Sequence, residues 1–153
     1  MLIKKFDFEI YADYNQFYLA DESSPFSTGE IWTDETFQQM LAVSEKLVAI
    51  GTARYETVPV SVEMYDRNPT LELEKYSRVN ECSLDVTSNK LVLEGCTEYS
   101  PDAARIEVEP SIYRVRVLYG NLETVKDDYE GEDFYVLQLW KDAEMREISI
   151  LKP

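Results

Sequence analysis

Residues 81–96 run ECSLDVTSNKLVLEGC, from Glu81 to Cys96. Cys82, Leu84 and Val86 alternate with Glu81, Ser83 and Asp85, and a second apolar run follows from Lys90 to Cys96. Strict alternation marks a strand with one buried and one wet face, and Ser88-Asn89 supplies the turn between the two runs. Pairing them as a hairpin across that two-residue loop sets Val86 opposite Leu91, Leu84 opposite Leu93 and Cys82 opposite Gly95. Slipping the register to bring Cys82 to Cys96 would oppose Leu84 to Glu94 and lose the buried face. Both cysteines are therefore expected to be reduced, and neither has an imidazole to lower its pKa for nucleophilic work.

The same period recurs outward in both directions. Phe6, Phe8 and Ile10 alternate with Asp7 and Glu9, Val58, Val60, Val62 and Met64 with Pro59, Ser61 and Glu63, and Tyr113, Val115, Val117 and Tyr119 with Arg114, Arg116 and Leu118. Further strands are predicted at Tyr14 to Leu19, Leu47 to Arg54, Lys90 to Cys96, Arg105 to Val108, Asp133 to Trp140 and Glu147 to Leu151. Short strands at this spacing, with turn signals at Ser100-Pro101-Asp102, Glu109-Pro110-Ser111 and Gly120-Asn121, predict an all-β, two-layer antiparallel β-sandwich. One short helix is predicted over residues 34–45. Thr33 is its N-cap, Asp34 and Glu35 fill its first turn, and Phe37, Met40, Leu41 and Ser44 fall at helical spacing. A weaker helical turn falls at Leu71 to Tyr76.

Length and charge bound the function. The chain has 153 residues and no repeat or linker, so residues 1–153 are expected to form one domain. Hydrophobic residues make up 44%, too many for a disordered chain. Thirty Asp and Glu against fifteen Lys and Arg give a net charge of −15, a field that repels phosphate backbones and anionic membranes and attracts basic proteins. Nucleic-acid binding is thereby disfavoured. There is no histidine, which removes Ser-His-Asp and Cys-His triads and His-ligated zinc. No N-terminal apolar run reads as a signal peptide, and no stretch approaches the roughly 18 apolar residues of a membrane span. A cytoplasmic location is expected, as a monomer or weak homodimer without cofactor.

Candidate sites are few. Asp127, Asp128, Tyr129, Glu130, Gly131, Glu132 and Asp133 put five carboxylates into seven residues. The run lacks the D-x-D-x-D-G spacing of a calcium loop, so no metal is implied. It reads as a solvated loop or as an acidic docking surface, with Tyr129 as an anchor and Asp21 and Glu22 as further contacts. Trp32 and Trp140 are candidate stacking platforms for a small ligand or carbohydrate. The plainer alternatives are a staple against the helix for Trp32 and a core or edge-capping role for Trp140. Gln16 either satisfies a buried group or faces water. Arg114 and Arg116 share a strand face and read better as cross-strand partners of carboxylates than as an anion pocket. A glycosidase-like hydrolase would need two convergent acids ~5–9.5 Å apart, and among thirty acids no pair stands out.

The segments Tyr14 to Leu19 (YNQFYL), Trp32 to Glu35 (WTDE), Thr57 to Glu63 (TVPVSVE), Glu81 to Tyr99 (ECSLDVTSNKLVLEGCTEY) and Ile106 to Gly120 (IEVEPSIYRVRVLYG) resemble the competence protein J family, also called the DNA-entry nuclease inhibitor family. The resemblance runs from about Phe8 to Trp140 and departs from the family pattern at Gln38 to Tyr55 and around Asp127 to Asp133. It implies a small protein that binds and inhibits a DNA-entry nuclease, and it carries over no catalytic residue. The expectation is therefore an acidic, non-enzymatic binding protein whose partner is a basic protein such as a nuclease or toxin.

Overall fold

The computed structural model describes residues 1–153. Eleven strands follow in order: β1 (Leu2–Tyr11), β2 (Gln16–Asp21), β3 (Leu41–Ser44), β4 (Leu47–Gly51), β5 (Thr57–Tyr65), β6 (Arg78–Val86), β7 (Lys90–Gly95), β8 (Ala104–Glu107), β9 (Ser111–Gly120), β10 (Phe134–Asp142) and β11 (Ser149–Lys152). One helix, α1 (Asp34–Gln39), lies between β2 and β3. The strands form a six-stranded sheet, β1-β5-β10-β9-β6-β11, and a five-stranded sheet, β3-β4-β2-β7-β8. This is the expected all-β sandwich with one short helix. No helix is long and apolar enough to cross a membrane.

The alternating residues fill the space between the layers. Ile10, Phe17, Leu19, Val58, Val60, Val62, Cys82, Leu84, Val86, Leu91, Leu93, Val115, Val117, Tyr135 and Leu137 belong to one buried cluster. Each large apolar side chain fully withdrawn from water there contributes about 1.5–3 kcal/mol. A smaller cluster, Tyr18, Ala20, Ala42, Leu47 and Ala49, lies on the outer face of the second sheet beneath Phe26, Ile31 and Trp32.

Three expectations are corrected. First, residues 81–96 are not a hairpin. β6 pairs with β9 and β11, β7 with β2 and β8, so the chain crosses from one sheet to the other at Ser88-Asn89. Alternation fixes which side chains face the core, and Leu84 and Leu93 satisfy it equally well when they approach from opposite layers. Both cysteines are nonetheless free, Cys82 in the core and Cys96 half-buried.

Second, the helix stops at Gln39. Thr33 caps it through a bond from the Thr36 N–H, but Met40 takes a left-handed backbone (φ 60°), and Leu41–Ser44 becomes an edge strand on β4. No helix residue is buried, and Phe37 is 71% exposed.

Third, β5 and β10 run parallel, with Tyr135 beside Val60 and Leu137 beside Val62. Parallel strands begin at the same end of a sheet, so the loops entering β5 and β10 lie side by side.

On the outer face of the first sheet, Arg114 and Arg116 are 5% and 3% exposed. Their Nε atoms donate to the two oxygens of Glu81 at 3.2 and 2.9 Å. Arg114 also holds the Arg146 and Glu147 carbonyls, and Arg116 the Pro69 carbonyl and Asn68. These arginines are ion-pair partners that fasten two loops to the sheet, with their donors taken by acceptors of the protein itself. The Arg116 guanidinium lies 4.8 Å above the Trp140 ring, and Trp140 is 6% exposed. Its stacking face is taken, so Trp140 is not a ligand platform.

Candidate functional site

Three connections meet at one end of the sandwich: residues 12–15 before β2, 52–56 before β5 and 125–133 before β10. Backbone bonds fuse them. Thr52 N–H donates to the Asn15 carbonyl (2.9 Å), Ala12 N–H to the Glu56 carbonyl (2.9 Å) and Tyr55 N–H to the Asp128 carbonyl (2.7 Å).

Beneath them sits a buried anchor. Ala53 N–H donates to the Tyr135 hydroxyl (2.7 Å), which donates to Asp133 Oδ2 (2.6 Å), while Arg54 Nε donates to Asp133 Oδ1 (2.5 Å). Asp133 is fully buried, so its expected place on the contact surface is corrected: it holds the loop from within. Burial, reinforced by the bond to Asp133, pushes the Tyr135 hydroxyl far above the ordinary tyrosine range and keeps it neutral.

Outside the anchor the loop presents Asp127, Asp128, Tyr129, Glu130 and Glu132, all exposed. Asp127 Oδ1 accepts the N–H groups of Tyr129 and Glu130, both at 2.8 Å, and these bonds hold its carboxyl below the usual range. None of the four exposed carboxylates takes part in an ion pair, whereas Asp133, Glu81 and Asp142 all do.

Tyrosines border the acids. Tyr55 meets Tyr11 and Tyr14 edge to face at centroid distances of 6.1 and 5.8 Å, and Tyr14 and Tyr129 are 63% and 62% exposed. The Asp13 carboxylate pushes the Tyr55 hydroxyl up to about 12.

The other end of β2 is a separate place. Asp21 is fully buried, accepting from the hydroxyls of Ser23, Ser88 (2.5 Å) and Thr87 (3.2 Å) and from the Ser88 N–H (3.1 Å). Burial alone would raise its pKa, but those bonds outweigh it and hold the carboxyl low. It closes the Ser88-Asn89 crossing and is no contact residue, a second correction. Glu22 is exposed but paired with Arg105 (3.1 Å), a strand length of about 20 Å from the acidic loop.

Beside the tyrosines lies an open groove of about 560 Å³, lined by Tyr14, Trp32, Phe37 and Met40, by Asn15, Gln16, Thr52 and Ala53, and by Asp128. Gln16, left open by the sequence, points its Oε1 at both the Trp32 indole N–H and the Tyr18 hydroxyl, each at 2.8 Å. Trp32 is thereby fixed with part of its ring in the groove wall. Reading the sequence missed Tyr11, Tyr14, Tyr55 and Phe37 as a group. Their proximity depends on the parallel β5–β10 pair and on left-handed turns at Tyr14 and Asn15 (φ 56° and 58°).

No family model matches the sequence, and no curated protein matches it. Two solved structures share its fold. ComJ from Bacillus subtilis, described as an inhibitor of the DNA-degrading activity of NucA, superposes with a TM-score of 0.73 at 16% identity, over 93% of this chain and 99% of that one. The protein described as crocagin biosynthetic gene J gives 0.62 at 15% identity, over 91% and 97%. At such identities the likeness is one of fold.

Proposed function

We propose that this protein is a non-enzymatic inhibitor that binds a DNA-degrading nuclease through the acidic, tyrosine-rich end of the sandwich. The observation that carries this reading is the set of four exposed carboxylates without cationic partners, on a loop anchored from below by Asp133. A nuclease must present positive charge to hold phosphate, and a rigid anionic surface competes for that charge. Tyrosine adds contact area at low entropic cost. The shared fold of ComJ, an inhibitor of NucA, supports the same reading. The non-enzymatic part of the reading is supported by that same likeness, since ComJ is described as an inhibitor.

The test is to titrate the purified chain into plasmid degradation by NucA and by an unrelated basic nuclease. Saturable inhibition that weakens with added salt is expected. Undiminished degradation at every ratio with both enzymes would remove the proposal.

A further inference from the structure

We infer that the groove between Tyr14, Trp32, Phe37 and Asp128 is a receptor for one arginine side chain of the bound nuclease. The inference rests on the reading of this end as the nuclease-binding surface and names what the surface recognises.

Charge complementarity argues for the occupant. The groove has aromatic walls from three elements, Tyr14 before β2, Trp32 before α1 and Phe37 within it, and Asp128 is the only charged residue on its rim. Arg54, the cation closest in sequence to the groove-lining Thr52 and Ala53, has its Nε engaged by buried Asp133. Asp127, Glu130 and Glu132 continue the negative charge beyond Asp128. A guanidinium is flat, weakly hydrated and always charged. It stacks on ring faces while its edge donates to a carboxylate or an amide oxygen, which Asp128 and Asn15 can offer. An ammonium, compact and strongly hydrated, fits the aromatic walls less well.

The groove is also held in shape. Tyr14, Asn15 and Met40, three of the six non-glycine residues with positive φ, line it. Such backbones are costly and persist where the surroundings over-determine them. The Gln16 bond fixes the Trp32 ring, and the Thr52 N–H bond to the Asn15 carbonyl fixes the turn opposite. Phe37 is 71% exposed on a helix that buries none of its residues, an arrangement the isolated fold does not need.

The experiment follows the Trp32 indole N–H signal by NMR while N-acetyl-arginine amide, its uncharged isostere N-acetyl-citrulline amide, or N-acetyl-lysine amide is added. The arginine probe is expected to shift the signal saturably and the citrulline probe at least about tenfold more weakly, with lysine between them. Phe37→Ser and Asp128→Asn, both at exposed positions, should each weaken the arginine probe about fivefold without moving the melting temperature. Equal shifts from arginine and citrulline, which would mark a general small-molecule cleft, or no shift at tens of millimolar, would overturn the inference. The Phe37→Ser variant separates this from the parent proposal, since its substitution lies outside the acidic loop. If it inhibits the nuclease as well as the unmodified chain does, the arginine receptor is refuted and the inhibitor reading stands. If the unmodified chain does not inhibit at all, the inhibitor reading fails whatever the probes do.

Discussion

Replacing Asp133 by alanine tests the buried anchor that shapes the acidic loop. The substitution removes the acceptor of both the Arg54 Nε–H and the Tyr135 O–H, in a place where Asp133 has no contact with solvent. Breaking a buried ion pair from one side costs about 3–5 kcal/mol, because the abandoned charge keeps its burial and loses its partner. Here the Arg54 side chain retains 12% exposure, so water can partly re-solvate it and the lower end of that range applies. The stranded Tyr135 hydroxyl adds part of a further ~1–3 kcal/mol, since the two losses share one site and do not sum. A net loss of about 3 kcal/mol is expected. With a urea m-value of about 2 kcal/mol/M, the unfolding midpoint should fall by roughly 1.5 M at unchanged slope. Asp133→Asn keeps an acceptor for Tyr135 and should cost less. Arg54→Met with Asp133→Leu, which removes both charges, should recover most of the loss. A cost below about 1 kcal/mol for Asp133→Ala, or a double variant that simply adds the two single losses, would refute the idea that this pair is buried and coupled.

Three further outcomes follow from the charges and thiols. Glu94 is 5% exposed, its Oε2 has no partner, and burial raises its pKa. Its raised folded pKa favours the protonated form, so its ionisation costs stability as pH rises. Glu94→Gln should therefore raise the melting temperature by a few degrees at pH 7 and by nothing near pH 4, and a lower melting temperature at pH 7 would contradict this. Asp21 has the opposite sign. Its folded pKa is depressed, so its contribution is complete above the ordinary carboxylate range and is lost as pH falls through the folded value. Asp21→Asn should flatten the acid limb of a stability–pH curve, and an unchanged limb would count against the Ser23, Thr87 and Ser88 bonds. In a thiol titration of native protein, Cys96 should react first, while Cys82, fully enclosed and pushed up to about 12 by burial, should react only on unfolding. Equal rates would show that the core opens readily.

Much of the fold was legible because burial has a period. Val58, Val60 and Val62 or Val115 and Val117 announce a core face whatever their neighbours are. Pairing is encoded less directly. Leu84 and Leu93 meet the core in a hairpin or across two layers, and nothing in their alternation separates the cases. Phe37, Met40 and Leu41 keep helical spacing, yet the left-handed Met40 turns the chain and Leu41 extends an edge strand instead. At the site, the acidic run is visible as composition, but the roles within it follow strand parity. Asp133 shares the parity of Tyr135, Leu137 and Leu139, and Asp21 that of Phe17 and Leu19, so both acids point inward with the core. That signal was present in the sequence, whereas the tyrosine cluster and the groove arise from loops brought together by a parallel strand pair and left-handed turns.

The most direct measurement is the inhibition constant of the purified chain against the nuclease across about 0.05–0.3 M salt, beside the variant Asp127→Asn, Asp128→Asn, Glu130→Gln, Glu132→Gln. None of these side chains takes part in an ion pair, and Asp127→Asn keeps an Oδ1 acceptor for the Tyr129 and Glu130 N–H groups, so the variant should still fold. It should inhibit at least about tenfold more weakly at low salt, and its constant should barely change as salt screens the field. A variant that inhibits as tightly as the unmodified chain, with the same salt dependence, would show that the acidic end is not where the nuclease is held.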